Sequence, residues 1–239
     1  VIDAHGLVVT PDGEYVVAGS LKEMPAAAGS PPDAPTSKLY LVHPAHGHVM
    51  STIPVAGWTH HQAITPDGRY VLSTHPTRGG VSVVDLQSNQ VVKTIATGPA
   101  PNYTVITRDG QRAFVTNSGN GTVSEIERAS WRVTRTMEAG SAPEHLVISD
   151  DEHTLYALNP RAGTVTAVSV ASGKITKTHK VGTTLHGLDL GNDGRTLFVS
   201  DLGENQLIAL DVRDGSQRRL ALSPAPYHLH TIRGTGKVY

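Results

Sequence analysis

The stretch "RAFVTNSGNGTVSEIERASWRVTRTMEAG" (Arg112–Gly140) holds three β-branched, alternating runs separated by two turns. Short runs of this kind, bounded by Gly, Asn and Ser, read as strands joined by hairpins. The run before it, which ends in the turn "TRDG" (Thr107–Gly110), supplies a fourth strand. No ten consecutive residues carry a helical period, so the segment reads as a four-stranded β-meander.

The meander repeats. The turn returns as "TPDG" (Thr10–Gly13), "TPDG" (Thr65–Gly68), "SDDE" (Ser149–Glu152), "GNDG" (Gly191–Gly194) and, more weakly, "RGTG" (Arg233–Gly236). From Gly68 onward the turns end at 110, 152, 194 and 236, a constant spacing of 42. Four strands per unit at that period indicate propeller blades, and the missing helical pattern excludes an α-solenoid. The expected fold is all-β: a β-propeller of four-stranded blades, in one domain over residues 1–239. Five blades are complete (1–57, 58–98, 99–140, 141–182, 183–224), and 225–239 form a partial sixth. An incomplete ring leaves a strand edge unpaired, which predicts either part of a six- or seven-bladed ring or an unconventional closure. The first unit is longer because of "SLKEMPAAAGSPPDAPTSK" (Ser20–Lys38), which reads as a long loop, either a functional lid or a tolerated insertion.

Composition removes several classes of function. The net charge of −1 lacks the basic excess of a nucleic-acid or anionic-membrane surface. No run of about 18 apolar residues is present, so no membrane span is expected. Cysteine is absent, which excludes disulfides, thiolate catalysis and zinc-thiolate sites. No G-x-S-x-G elbow or phosphate-binding glycine loop occurs. The 13 histidines stand out against 2 Phe, 2 Trp and 3 Met.

Their placement is ordered. Eight residues before the end of each turn lie His5, His60, Asn102, Glu144, His186 and His228. The next position holds Gly6, His61, Tyr103, His145, Gly187 and Leu229. These are the starts of the first strands, which in a propeller line the channel. The expectation is a ring of imidazoles at the channel mouth, with His5, His60, His61, His145, His186 and His228 as metal ligands. The alternative is plain polar lining of a wet channel. Seven residues after each turn lie Ser20, His75, Asn117, Asn159 and Asp201. His75 and Asp201, together with Asp3, are candidates to orient a ring histidine through its second nitrogen. The alternative is that this position ties the backbone at the hairpin. His43, His46 and His48, in "HPAHGH", read as exposed hairpin residues, with a peripheral metal site as the alternative.

The stretch "AFVTNSGNGTVSEIE" (Ala113–Glu127) resembles the YVTN-repeat β-propellers, whose tetrapeptide here is Phe114-Val115-Thr116-Asn117. That resemblance implies a propeller and an extracytoplasmic, periplasmic or extracellular, location; the family is mixed in function. Imidazole-rich sites without thiolates suit copper, zinc, iron or nickel. The His ring, with its adjacent pair His60–His61, is similar to that of the copper propeller enzymes of the nitrous-oxide reductase and thiocyanate dehydrogenase type. It implies copper, a small inorganic substrate and an external electron-transfer partner, with Tyr103 or Glu144 as proton acceptor. Two alternatives stay open: a non-catalytic scaffold, and a propeller carrying a haem of the d1 type on one ring histidine.

Overall fold

The computed structural model describes residues 3–25, 28–31, 34–232 and 234–239. Strands form where the repeat places them. The first sheet contains β1 (Ala4–Val9), β2 (Val16–Ser20), β3 (Ser37–His43) and β4 (His48–Val55). The second contains β5 (Gln62–Ile64), β6 (Tyr70–His75), β7 (Gly80–Asp85) and β8 (Gln90–Ala96). The third contains β9 (Pro101–Ile106), β10 (Arg112–Asn117), β11 (Thr122–Glu127) and β12 (Arg132–Glu138). The fourth contains β13 (Leu146–Ile148), β14 (Thr154–Asn159), β15 (Thr164–Ser169) and β16 (Ile175–Lys180). The fifth contains β17 (Leu185–Leu190), β18 (Thr196–Asp201), β19 (Gln206–Asp211) and β20 (Gln217–Ala221). A last sheet pairs β21 (Thr231–Ile232) with β22 (Lys237–Val238). Each four-stranded sheet is a meander in chain order, and no helix is long and apolar enough to cross a membrane. The long loop of the first unit includes positions 26, 27, 32 and 33, and the last turn includes 233; these lie outside the described residues.

The strands differ in burial as their sequences dictate. β7 ("GVSVVD") is buried along its whole length, which suits a strand covered on both faces. β12 ("RVTRTME") alternates between exposed and covered positions and has one face in water. The turn before each second strand is held by its own side chains. The Thr65 hydroxyl donates to Asp67, and Asp67 Oδ1 accepts from the Arg69 N–H at 3.1 Å. Thr107–Asp109 and Ser149–Asp151 repeat the device, an Asx-type turn that recurs because the sequence recurs.

The chain divides into two compact units, residues 1–119 with 124–135, and residues 120–123 with 136–239. In the first, Val17, Leu39, Leu41, Ile53, Val71 and Val84 form one core cluster, and Leu72, Val81, Val83, Ala113, Val115 and Ile126 another. In the second, Leu158, Val165, Leu188, Leu197, Val199 and Ile208 form the core between the fourth and fifth sheets.

Candidate metal centre

Three histidines of the second unit converge: His145, His186 and His228. Each offers one ring nitrogen, and these three atoms lie within 4.8 Å of one another. Ring centroids are 5.4 Å apart for His145–His186, 4.7 Å for His186–His228 and 5.7 Å for His145–His228. Among the described residues this is the group of His, Cys, Asp or Glu donors close enough to share a cation. His145 is buried, His186 half-buried and His228 exposed, so the group rests on the protein on one side and meets solvent on the other.

Local structure explains the convergence. The Glu144 N–H donates to Leu158 O and the Leu158 N–H donates to His145 O, both at 2.9 Å. That ladder pins His145 just ahead of β13. His186 sits at the second position of β17, where pairing with β18 shifts register between Leu185 and Leu188. Gly187 makes room for the next segment: a Cβ there would lie 3.1 Å from both the Leu229 N and Cγ. The Ser200 hydroxyl closes the arrangement by donating to Tyr227 O at 2.7 Å and accepting from the Gly187 N–H at 2.6 Å. The Tyr227–Leu229 segment is thus held against β17 and β18, with His228 beside His186. The Tyr227 ring lies 3.8 Å from that of His186, at 31°, and fixes its plane.

The first unit holds two further arrangements. His5 Nδ1 lies 3.0 Å from His60 O, and His60 Nδ1 lies 3.2 Å from Asn102 O. A carbonyl only accepts, so each Nδ1 carries a proton and each neutral ring keeps its lone pair on Nε2. This is the tautomer that an outer-shell backbone bond sets for a metal-ligating histidine. The two rings are 4.7 Å apart. His61 is set the opposite way. Its Nδ1 accepts from the Thr104 N–H at 3.2 Å, so in the neutral ring Nε2 carries the proton. Tyr103 stacks on His61 at 3.6 Å.

The remaining candidates fall elsewhere. Glu144 is half-buried, and burial pushes its carboxyl up from the usual range, opposed by the charge of Arg161. His75 donates from Nδ1 to Gly57 O at 3.1 Å and Trp58 O at 3.3 Å, and its Nε2 accepts from the Ser82 hydroxyl at 2.8 Å. Asp201 accepts from the N–H groups of Gly203 at 3.0 Å and Thr184 at 3.2 Å. Both therefore tie backbone, as Asn117 and Asn159 do. Asp3 is exposed, and its carbonyl accepts from the Leu21 N–H. Ser200 and Tyr227 were not singled out by the sequence, and Gly187 was placed beside the ring without a role. Only the place of Tyr227, next to His228, could have drawn attention to it.

A family model described as a lactonase, 7-bladed beta-propeller, matches residues 90–237. Hydrazine synthase of Kuenenia stuttgartiensis is similar in structure, with a TM-score of 0.82 and 22% identity over 95% of this chain and 70% of that one. That likeness is one of fold. No curated protein matches the sequence.

Proposed function

This chain belongs to the lactonase family of seven-bladed β-propellers, and on that premise we propose that it is a metal-binding propeller in which His145, His186 and His228 hold one transition-metal ion. The observation that carries the reading is the gathering of three imidazole donors within 4.8 Å, without thiolate. A tetrahedral site built on metal–nitrogen bonds of ~2.0–2.1 Å needs donors about 3.3 Å apart. The 4.8 Å span is wider than this, and the exposed His228 is the ring placed to turn inward on binding. The donor set fits copper, which heads the affinity order of divalent ions, and also suits nickel and zinc. His5 and His60, with lone pairs on Nε2, extend the same reading to the first unit as a second pair of imidazoles. His61, whose Nδ1 accepts from the Thr104 N–H, is held to backbone there.

When bound, such an ion supplies Lewis acidity and, if it is copper, one-electron chemistry at an open coordination position. The protein's own contribution is orientation. Tyr227 holds the plane of His186, and the backbone of β14 holds His145. Glu144, half-buried and next to His145 in the chain, is the group we assign to proton transfer. A small inorganic substrate, with electrons passed to an external partner, fits the exposed side of the triad. The resemblance to YVTN-repeat propellers supports an extracytoplasmic location. The family's name supports a second reading, hydrolysis of a lactone at the same site.

Elemental analysis and EPR of untagged protein test the binding. The parent is expected to retain copper, and His186→Ala/His228→Ala to weaken it by more than the ~10–100-fold that loss of an outer-shell partner costs. An unchanged metal content in that variant sinks the proposal. Assays of inorganic redox couples and of lactones on the copper-loaded parent separate the two chemistries.

A further inference from the structure

The hairpin between β3 and β4 carries His43, His46 and His48 within six residues. The repeat does not require them. The equivalent hairpins read Asp85, Ser88, Gln90; Glu127, Ser130, Arg132; Ser169, Ser172, Lys174; and Asp211, Asp214, Ser216. No histidine stands at any of these positions. In two copies the first residue forms an ion pair with the arginine after the Asx-type turn, Arg69–Asp85 at 3.0 Å and Arg195–Asp211. In this copy Glu14 replaces that arginine and His43 replaces the aspartate, so the ion pair is gone.

The three rings lie together. His43 and His48 face each other across the strand pair. His46 sits in the turn, which Gly47 closes at φ +64 with N–H bonds to His43 O at 3.0 Å and Pro44 O at 3.3 Å. Ring centroids are 4.4 Å apart for His43–His46 and 5.8 Å for His46–His48. The Tyr15 ring meets His43 edge-on at 5.4 Å and covers its inner side. His48 Nδ1 donates to His46 O at 3.2 Å, which leaves the lone pair of the neutral ring on Nε2. His43 Nδ1 is buried and has no hydrogen-bond partner in the protein. Three adjacent imidazoles repel one another when protonated, and as neutral bases each keeps one lone pair for a cation.

We propose that this hairpin is a second, self-contained metal site, built by His43, His46 and His48, for one late divalent transition-metal ion, with copper(II) held most tightly. Its donors are spread more widely than those of the His145 group. His46 and His48 are exposed, so their rings have room to turn toward His43 on binding. Imidazoles on a short turn suit copper(II), nickel(II) and zinc(II), and the affinity order places copper first. The site shares no residue with His145, His186 and His228, and it stands whether or not those bind metal.

The test is a copper(II) titration of the full chain, in the presence of glycine as competitor and followed by EPR and equilibrium dialysis. The parent is compared with His46→Ala/His48→Ala and with His186→Ala/His228→Ala. The hairpin variant is expected to lose one copper and its EPR signal, with affinity lowered by at least ~100-fold, since a lost ligand costs more than a lost outer-shell partner. The His186→Ala/His228→Ala variant is expected to keep that signal. His46→Gln/His48→Gln, which keeps the turn polar, should lose it as well. A hairpin variant that binds the same number of coppers with the same spectrum as the parent overturns the proposal. Loss of the hairpin signal alone, with nothing lost from His186→Ala/His228→Ala, would leave this site standing and remove the triad.

Discussion

His75 solves, with an imidazole, a problem that other repeats solve with an amide or a carboxylate. It ties the end of β6 to the loop that enters β5. Asn159 does the same through Nδ2, to Ala139 O at 3.1 Å, and Asp201 through its carboxylate, to Thr184 N and Gly203 N. The price is a titratable base in the interior. Burial pushes the pKa of His75 below the ordinary 6.5, against its bonds to Trp58 and Gly57. Below pH 6.5 the unfolded chain takes up a proton that the folded chain refuses until a lower pH. Stability contributed here is therefore complete above pH 6.5 and falls as pH drops toward the folded value. Asp201 acts further down. Burial raises its pKa but the surrounding N–H groups outweigh that, so its share is present above 3.8 and is lost as pH falls through the lower folded value. His75→Asn is expected to keep the tie, in the manner of Asn159, and to flatten the stability curve just below pH 6.5. His75→Ala should cost about 1–3 kcal/mol by stranding buried polar partners. Urea denaturation across pH measures both, and an unchanged slope in His75→Asn would refute the assignment. At this scale the sequence was partly legible. Alignment put Glu144 at the position equivalent to His186 and His228 and named His145, one residue on, as the ligand; it is His145 that meets them. β13 begins only at Leu146, so strand alternation does not govern the two residues before it. The roles of Tyr227 and Gly187 were invisible because Ser200, remote in sequence, ties the two segments together.

The element that made the fold readable is the turn before each second strand. Thr or Ser at its start and Asp two residues on are hydrogen-bonding devices, and the last residue adopts a left-handed conformation. Gly13 has φ +76, and in the fourth copy Glu152 takes the same place at φ +59. The turn thus survives without glycine at a cost of about 1–2 kcal/mol for a side chain in that region. Part of this is offset because glycine loses more backbone freedom on folding. Glu152→Gly is accordingly expected to stabilise the protein by up to about 1 kcal/mol. Gly13→Ala is expected to destabilise it by about 1 kcal/mol, because a Cβ at Gly13 meets nothing within 4 Å and only the backbone term remains. Denaturant midpoints at constant slope check the pair, and equal signs for the two substitutions would contradict the argument. The constant spacing of these turns made blade number and strand order legible. The long first-unit loop was legible as a loop, since its Ala-, Pro- and Gly-rich sequence has no period, and its role as lid or insertion was not.

At the scale of the whole chain, the triad joins residues far apart in sequence. His145 precedes β13, His186 lies in β17 and His228 precedes β21, so an ion held by all three closes two long stretches of chain in the folded state only. A ligand that binds the folded state alone stabilises it by about 2.7 kcal/mol at a hundred times its dissociation constant. The gain should also be local in its dynamics. Hydrogen exchange is expected to slow around residues 144–148, 185–190 and 226–231 when redox-silent zinc is added near neutral pH. The turns ending at Gly194 and Gly215, which lie outside the metal-holding segments, should be unaffected. Imidazoles must be deprotonated to ligate, so the effect should fade as pH falls below about 6 and return on neutralisation. Chelation should reverse it without unfolding the sheets, because the cores around Leu158 and Val199 are built from apolar contacts independent of metal. Exchange followed by mass spectrometry, with and without zinc at both pH values, decides the matter. Protection that appears uniformly, or in the turns alone, would place the ion elsewhere. Protection confined to these three segments would mean that a metal can join three sheets through single side chains, at or just before the first residues of their strands.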